Sequence, residues 1–500
     1  MDPENAAHDQ QKVQMTPLPK YQLFINLLIQ SSEAITATVI YPFIAQLIRS
    51  TGITQGDETK VGYYAGIIES IFFISECALV FQWGRAADKF GRRPILLMGP
   101  LGLAIAMLGF GLSRTFWPLV AFRAAQGVFN GNIGVSKTVM AEITDATNRA
   151  DAFTMIPIMW TFGTTLGPTL GGFLAQPAST WPNVFGRFQL FIDYPFFLPC
   201  FTAGLYAFIT FVIPLFSLKE VSVPQTLPSK TRKDDYDDND DLSAESPLLN
   251  SDSNEPDYGS TRYIRENTTT SESSTICESP TSPTQKSPLT SPSIFNPALN
   301  IILVNYCLLT FTEMSYSVLI PLLYSTSPSY GGLGFSTRTI GTIMATFSFT
   351  NAFIQMFFLK DVLKKLGARK MYIISYASLL MDFGMLMVEQ VLVRNGYSQR
   401  WVWAAIAAQL ASATLINTAY SSISILIVEA ATPGTLAAVN GLAQAGASGF
   451  RGLGPSVASS LFALSLHSHL LGGYMVYVIM FGITIAGTAC SLMLPVMKRT

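Results

Sequence analysis

The chain has 500 residues, 49% of them hydrophobic and only 13% charged, with 34 Phe and a mean hydropathy of +0.36. That composition is too apolar for a water-soluble protein of this length. The formal net charge of −1 gives no reason to expect a strongly acidic or basic partner, and no nucleic acid is expected.

A bilayer core about 30 Å thick asks for roughly 20 predominantly apolar residues per crossing helix. Such spans fall in two sets of six, near 21–48, 63–83, 94–113, 116–141, 152–176 and 192–217, then near 297–324, 338–359, 370–392, 400–429, 434–466 and 470–496. The expected fold is an all-α membrane protein with twelve transmembrane helices. The first 20 residues are polar and the first apolar run is too long for a signal-peptide core, so that run is expected to remain as a membrane anchor. The expected organisation is a cytosolic tail at 1–20, a six-helix half at 21–218, a linker at 219–296, a second six-helix half at 297–497 and a cytosolic end at 498–500.

The linker carries "KDDYDDNDDLSAESPLL" and "SPTSPTQKSPLTSP". Rich in Ser, Thr, Pro and acid, it has too little apolar surface to offset its ordering entropy, and it reads as disordered. Its Ser-Pro pairs are open to phosphorylation or to a role as solvated spacer. With the termini and linker in the cytosol, Lys and Arg divide into 21 cytosolic, seven outside and three within spans, namely Arg123, Lys137 and Arg451. The positive-inside rule favours that orientation, under which the sequon at Asn267 stays unused. "ESPLL" (Glu245 to Leu249) approximates an acidic dileucine signal with the acid one residue too close, leaving plasma membrane and vacuolar membrane both open.

The two sets of spans repeat each other. "SSEAITATVIYPFI" aligns with "FTEMSYSVLIPLL", matching Glu33 to Glu313 and Pro42 to Pro321 at offsets of 280 and 279. "GPTLGG" (Gly167 to Gly172) aligns with "GPSVAS" (Gly454 to Ser459) at 287, and Gly91 with Gly367 at 276. Similar offsets imply two parallel six-helix halves, which place a substrate cavity between them near the bilayer midplane and alternate its access by rocking.

One stretch is unusually charged. "WGRAADKFGRRPILL" (Trp83 to Leu97) packs Arg85, Asp88, Lys89, Arg92 and Arg93 into nine residues between apolar spans. "GRAADKFGRR" resembles the signature between helices 2 and 3 of the major facilitator superfamily, matching it at every defining position. "RAAQG" (Arg123 to Gly127) resembles the fourth-helix motif, and "GTTLGPTLGG" (Gly163 to Gly172) resembles the fifth-helix motif of drug:proton antiporters. Within that superfamily the chain is similar to the zinc-induced-facilitator-like group of plants and its fungal relatives, through Trp83-Gly84, "VGYYAGIIES" (Val61 to Ser70) and "PQTL" (Pro224 to Leu227). Two departures point away from zinc: the plant group's Cys-Pro-Gly-Cys element is absent, and its His after the Pro-Glu-Thr-Leu-like motif is Pro228 here. The resemblance therefore implies proton-coupled antiport that exports a small organic compound.

Physical reasons accompany these motifs. Gly84 lets a neighbouring helix approach closely, and Asp88 can accept from a helix N-terminus, which the resemblance places at helix 11 near Pro433. Arg92 is placed to pair with Glu142, so that Gly84, Asp88, Gly91, Arg92 and Glu142 form a conformational lock; the plainer reading is a solvated basic loop. Gly163, Gly167 and Gly171 recur every four residues on one helix face and allow tight packing, with Gly172 beside them. Pro168 favours a kink. In the family reading this close face supports antiport; helix packing alone is the other reading.

Ionisable groups inside a membrane are functional candidates because they are costly to bury. Glu33, Glu69, Glu76, Arg123, Asp193, Glu313, Asp382, Glu429 and Arg451 fall in predicted spans. Glu33, Glu313, Arg123 and Glu69 are the expected substrate or proton ligands. Glu76 is expected to be a structural partner for an Arg, while Asp193, Asp382 and Glu429 are expected at solvated span ends. The five Cys and three His (His8, His467, His469) show no metal spacing, and no nucleotide-binding or nucleophile motif appears, so no metal, cofactor or enzymatic activity is expected. The leading expectation is a monomeric exporter handling a small-molecule substrate and protons across the lipid bilayer. A metal or metal-chelate transporter and a non-transporting nutrient receptor are the alternatives.

Overall fold

A computed structural model describes residues 16–145, 148–218, 296–431 and 436–495. The linker as far as Phe295, the tail as far as Met15, Pro433 and residues 496–500 lie outside the described residues, and with them the Ser-Pro pairs, Asn267 and His8. Each of the twelve predicted stretches falls on helix. Among the described residues, eight helical stretches are long and apolar enough to cross a bilayer, and the fold is an all-α membrane protein.

The first group opens with α1 (Lys20–Thr38) and α2 (Ile44–Ser50), separated by a turn that contains Pro42, a residue with no N–H to continue a helix. α3 (Val61–Phe90) follows a short turn capped by Asp57, whose Oδ1 accepts from the Thr59 hydroxyl and amide at 2.6 and 2.9 Å. Those donors hold the Asp57 carboxyl below the usual range. α3 ends at Gly91, and α4 (Arg92–Gly111) begins at once. The junction needs glycine because φ is +97°.

Its counterpart Gly367, with φ +77°, joins α13 (Thr337–Leu366) to α14 (Ala368–Arg394) in the same way. α5 (Phe116–Asn130) and α6 (Ile133–Glu142) are separated at Gly131 and Asn132. α7 (Arg149–Leu174) continues unbroken through Pro168. The short helices α8 (Pro177–Thr180), α9 (Pro182–Phe185) and α10 (Gln189–Asp193) lead into α11 (Phe197–Ser217). The predicted sixth span thus starts late. Asp193 lies on α10, ion-paired to Arg114 at 2.9 Å near the surface, as expected of a span end.

The second group holds α12 (Pro297–Ser325), α13 (Thr337–Leu366), α14 (Ala368–Arg394), α15 (Gln399–Ala413), α16 (Ile416–Ala430), α17 (Leu436–His467) and α18 (Met475–Leu492). The break at Thr414 between α15 and α16 answers the break at Gly131, at an offset inside the range of the sequence repeats.

Packing follows membrane logic. α11 buries Cys200, Ala203, Gly204 and Ala207 and exposes Leu205, Phe208, Ile209, Ile213 and Phe216. Small residues face protein and large apolar ones face outward, the pattern expected where lipid replaces water. The motif glycines work the same way: a Cβ at Gly163 or Gly167 would run into Ala34 or Thr38 of α1, and one at Gly171 into Val39 just past its end. Gly172 points elsewhere. A Cβ there would collide with Gly341 of α13, and one at Gly341 would collide with Gly172. The antiporter-like motif therefore packs within the first group and also closes against the second.

Further ties between the groups lie at the same end. Arg49 Nη2 donates to the Ser325 carbonyl at 3.0 Å, Thr337 donates to Gln46, and the Ser456 and Ser70 hydroxyls meet at 2.7 Å. At the other end a Cβ on Gly84 would meet nothing within 4 Å, so the close helix approach expected at Gly84 is absent among the described residues. The bundle is closed at the end that bears Val61 and Leu174.

Gly341→Leu is expected to prise that end apart. Overpacking of a tight contact costs about 1–3 kcal/mol, enough to shift the conformational population by up to about a hundredfold. Maleimide labelling of Ser70→Cys, in a background without the native cysteines, should accelerate accordingly. Unchanged labelling would show that the Gly172–Gly341 contact does not hold this end shut.

Candidate functional site

Two linked polar clusters occupy the interior. The first centres on Arg123 of α5, which is fully buried. Its Nη2 pairs with Glu69 Oε2 of α3 at 3.2 Å and donates to the Ala37 carbonyl at 3.0 Å, while Nη1 donates to Gln126 Oε1 at 2.8 Å. The guanidinium also lies over the Phe72 ring, 4.5 Å from its centroid. Ala37 belongs to the last turn of α1, whose carbonyls lack intrahelical donors and favour a nearby cation. Arg123 thus joins α1, α3 and α5 at the point where α1 stops.

The second cluster lies beside it. Asn130, at the end of α5, donates from Nδ2 to Glu33 Oε1 of α1 at 2.9 Å and to Glu76 Oε2 of α3 at 3.1 Å. One amide therefore holds two carboxylates no further apart than two hydrogen-bond lengths. From the second group, Ser448 of α17 donates to Glu76 Oε1 at 3.2 Å. One turn away on α17, Gln444 Oε1 accepts from Lys137 Nζ of α6 at 3.0 Å. A polar ladder so runs across the interface from Glu33 through Asn130, Glu76 and Ser448 to Gln444 and Lys137.

Glu313 sits on the opposite wall, in α12. It accepts from Ser317 at 2.9 Å and from the Tyr420 hydroxyl at 3.1 Å. The Arg451 guanidinium lies over the Tyr420 ring at 5.7 Å and interacts with both Glu313 and Glu76. A small cavity between the groups is lined by Tyr41 and Glu69 on one side and by Met314, Ser317 and Pro455 on the other.

The structure redistributes several expectations. The acid paired with an Arg is Glu69, and Glu76 instead joins Glu33, because Arg123 lies level with the upper of the two acids on α3. Glu429 is exposed, as expected. Asp382 is not at a solvated end: it lies inside α14, fully buried, and accepts from Ser412. The expectation failed because residue 382 lies near the middle of the predicted span 370–392, as it does of α14.

Arg92 makes the expected contact with Glu142, at 3.0 Å, and a second one with Asp88. The Asp88 side chain is 68% exposed, and the helix start near Pro433 assigned to it lies outside the described residues. Asn130, Ser448, Gln444 and Tyr420 went unflagged. An Asn seven residues after Arg123 in an apolar span was a usable signal, whereas a Ser or Gln in a small-residue helix gives none.

Comparison with known proteins gives the family and the fold. The model of the family described as Major Facilitator Superfamily matches residues 27–455. The major facilitator-type transporter psiT2 of Psilocybe cubensis is 30% identical over 486 residues, covering 95% of this chain and 90% of that protein. Protein ZINC INDUCED FACILITATOR 1 of Arabidopsis thaliana is 28% identical over 487 residues, covering 94% and 90%. The crystal structure of the human organic anion transporter MFSD10 superposes with a TM-score of 0.57 at 16% identity, over 95% of this chain and 100% of that one, a likeness of fold.

Removing one partner of a buried pair leaves an uncompensated charge and costs about 3–5 kcal/mol. Arg123→Gln should therefore lower the unfolding temperature of the purified protein sharply, and Arg123→Gln/Glu69→Gln should recover most of the loss. A double variant no more stable than the single one would contradict the pairing.

Proposed function

The chain belongs to the major facilitator superfamily of membrane transporters, and from that premise we propose that it is a proton-coupled antiporter exporting a small organic compound. The observation that carries the proposal is the shared amide of Asn130. Two carboxylates held that close in a dry interior repel strongly, and taking up one proton relieves the repulsion. Glu76 also accepts the Ser448 hydroxyl of the second group, so a change in its proton occupancy changes a bond across the interface that must part when access alternates. Glu33 and Glu76 are the proposed proton pair. Glu313, with Tyr420 and Arg451, is the proposed substrate-facing acid of the opposite wall, and Arg123 with Glu69 positions the α1 end.

The same reading includes twelve spans in two six-helix halves. Eight are the long apolar helical stretches described above. The other four are proposed on α1–α2, α5–α6, α7 and α17. Three of these four supply the polar ladder, with Glu33 on the first, Asn130 and Lys137 on the second and Gln444 and Ser448 on the last. Helices that line a polar interior are less apolar than those that only meet lipid.

Arg92 with Asp88 and Glu142 is the proposed lock at the cytosolic end, with Gly91 setting the turn and Gly84 left clear for helix approach in the opposite state. The membrane is the plasma or vacuolar membrane. A metal-chelate substrate is the second reading, favoured by the likeness to an Arabidopsis protein whose name refers to zinc.

A metabolite and metal profile of cells with and without the protein, paired with its localisation, identifies the cargo. Export of that cargo should follow a pH gradient, and Glu33→Gln/Glu76→Gln should remove the dependence while the protein still folds and inserts. Undiminished gradient-driven export in that variant would dismiss the pair from coupling, and a change confined to zinc or iron would favour the second reading. For the lock, an exposed ion pair is worth about 0–1 kcal/mol. Asp88→Asn should therefore shift two-sided cysteine accessibility less than Glu142→Gln does, and equal effects would contradict this ranking.

A further inference from the structure

A second buried polar cluster lies within the second group, away from the interface. Asp382 and Glu389 stand two turns apart on α14, both fully buried. Tyr316 and Tyr324 of α12, Gln409 and Ser412 of α15 and Tyr477 of α18 surround them. Gln409 is fully engaged: its Nε2 donates to the Tyr316 hydroxyl at 2.9 Å and its Oε1 accepts from the Tyr324 hydroxyl at 2.8 Å. Ser412 donates to Asp382 Oδ1.

Both Glu389 oxygens, Asp382 Oδ2 and the Tyr477 hydroxyl remain buried with no hydrogen-bond partner. The Glu389 carboxyl interacts with the phenols of Tyr316, Tyr324 and Tyr477, and Asp382 interacts with Tyr316. The Glu389 carboxyl is thus the one group that acts on all three tyrosines. Among the described residues, the basic side chain that acts on Tyr477 is Arg394. It is committed to the carbonyls of Gly472 and Tyr330 and to the Tyr474 ring.

The first group shows what is missing. Gln126, which the repeat aligns with Gln409, accepts from Arg123, and Arg123 neutralises Glu69. In the second group the glutamine faces tyrosines and the acids have no guanidinium. An ionised carboxylate left alone in a low-dielectric interior costs several kcal/mol. Natural proteins meet that cost with a partner charge or a bound ion.

We propose that Glu389, flanked by the hydroxyls of Tyr324 and Tyr477, binds a small monovalent cation, a proton or Na⁺, with Asp382 as the next acid inward. Glu389 alone matches one such charge, while Asp382 keeps its own bond from Ser412. Oxygen donors suit a hard cation rather than a soft metal. The inference rests on the chain being a membrane transporter and needs no coupling role for Glu33, Glu76 or Glu313.

The test uses the full-length protein purified in detergent. Unfolding temperature is followed with NaCl against choline chloride at constant ionic strength, and infrared absorption of protonated carboxyl groups is followed against pH. A Na⁺ site gives a rise in unfolding temperature with NaCl alone, since a ligand that binds only the native state stabilises it. A proton site gives a carboxylic-acid band that fades as pH rises. In either case Glu389→Gln should remove the Glu389 share of the signal, Tyr477→Phe should shift the midpoint of that share, and Glu33→Gln/Glu76→Gln/Glu313→Gln should keep it. Should Glu389→Gln not fold, Glu389→Asp is expected to move the midpoint of the same signal. Absence of both signals in the wild type, an undiminished signal in Glu389→Gln, or complete loss of the signal in Glu33→Gln/Glu76→Gln/Glu313→Gln would overturn the proposal.

Discussion

A polar side chain inside a bilayer has no water to turn to, and it is either satisfied within the protein or left at a cost of several kcal/mol. The arrangement of α1, α3, α5, α6 and α17 answers to that constraint. Arg123 draws together Glu69, Gln126 and the last carbonyls of α1. Asn130 draws together Glu33 and Glu76. Neither cluster is complete on one helix, so satisfying the side chains fixes how the helices stand against each other. Ser448 and Gln444 extend the same requirement across the interface between the two groups.

Glycine supplies the complementary half of the account. Apolar surface gives little drive for helices to associate in lipid, so close approach and good packing must provide it. The motif from Gly163 to Gly172 does this on two faces, seating α7 on α1 through Gly163, Gly167 and Gly171 and on α13 through Gly172. Between groups the close packing is carried by Gly172 against Gly341 and by Gly62 and Gly66 of α3 against Ser459 of α17, contacts that must open if the groups part. Polar bonds across the interface can exchange partners as that happens, while the intra-group contacts persist.

Much of this was legible in the sequence. Apolar runs located the long helices, because a bilayer sets their length, and the offset between Gly91 and Gly367 anticipated two junctions with the same backbone. Arg92 with Glu142 could be paired from a recognisable motif. The partners of Glu69 and Glu76 could not be assigned, because the level at which Arg123 meets α3 is a tertiary fact. Ser448 was missed for a related reason, since a lone hydroxyl in an apolar helix becomes informative only once its neighbours are known, whereas Asn130, seven residues after Arg123, was a usable signal. Asp382 and Glu389 were obscured differently, one placed too near a span end and the other not flagged at all.

The central claim is that proton occupancy of Glu33 and Glu76 governs the bond to Ser448 and hence the separation of α3 from α17. Spin labels on α3 and α17 near the Gly84 end, with their distance distribution recorded across a pH series in liposomes, test it most directly. The account predicts two populations whose ratio moves with pH in the wild type and stops moving in Glu33→Gln/Glu76→Gln. A pH-dependent shift that survives unchanged in that variant would contradict it.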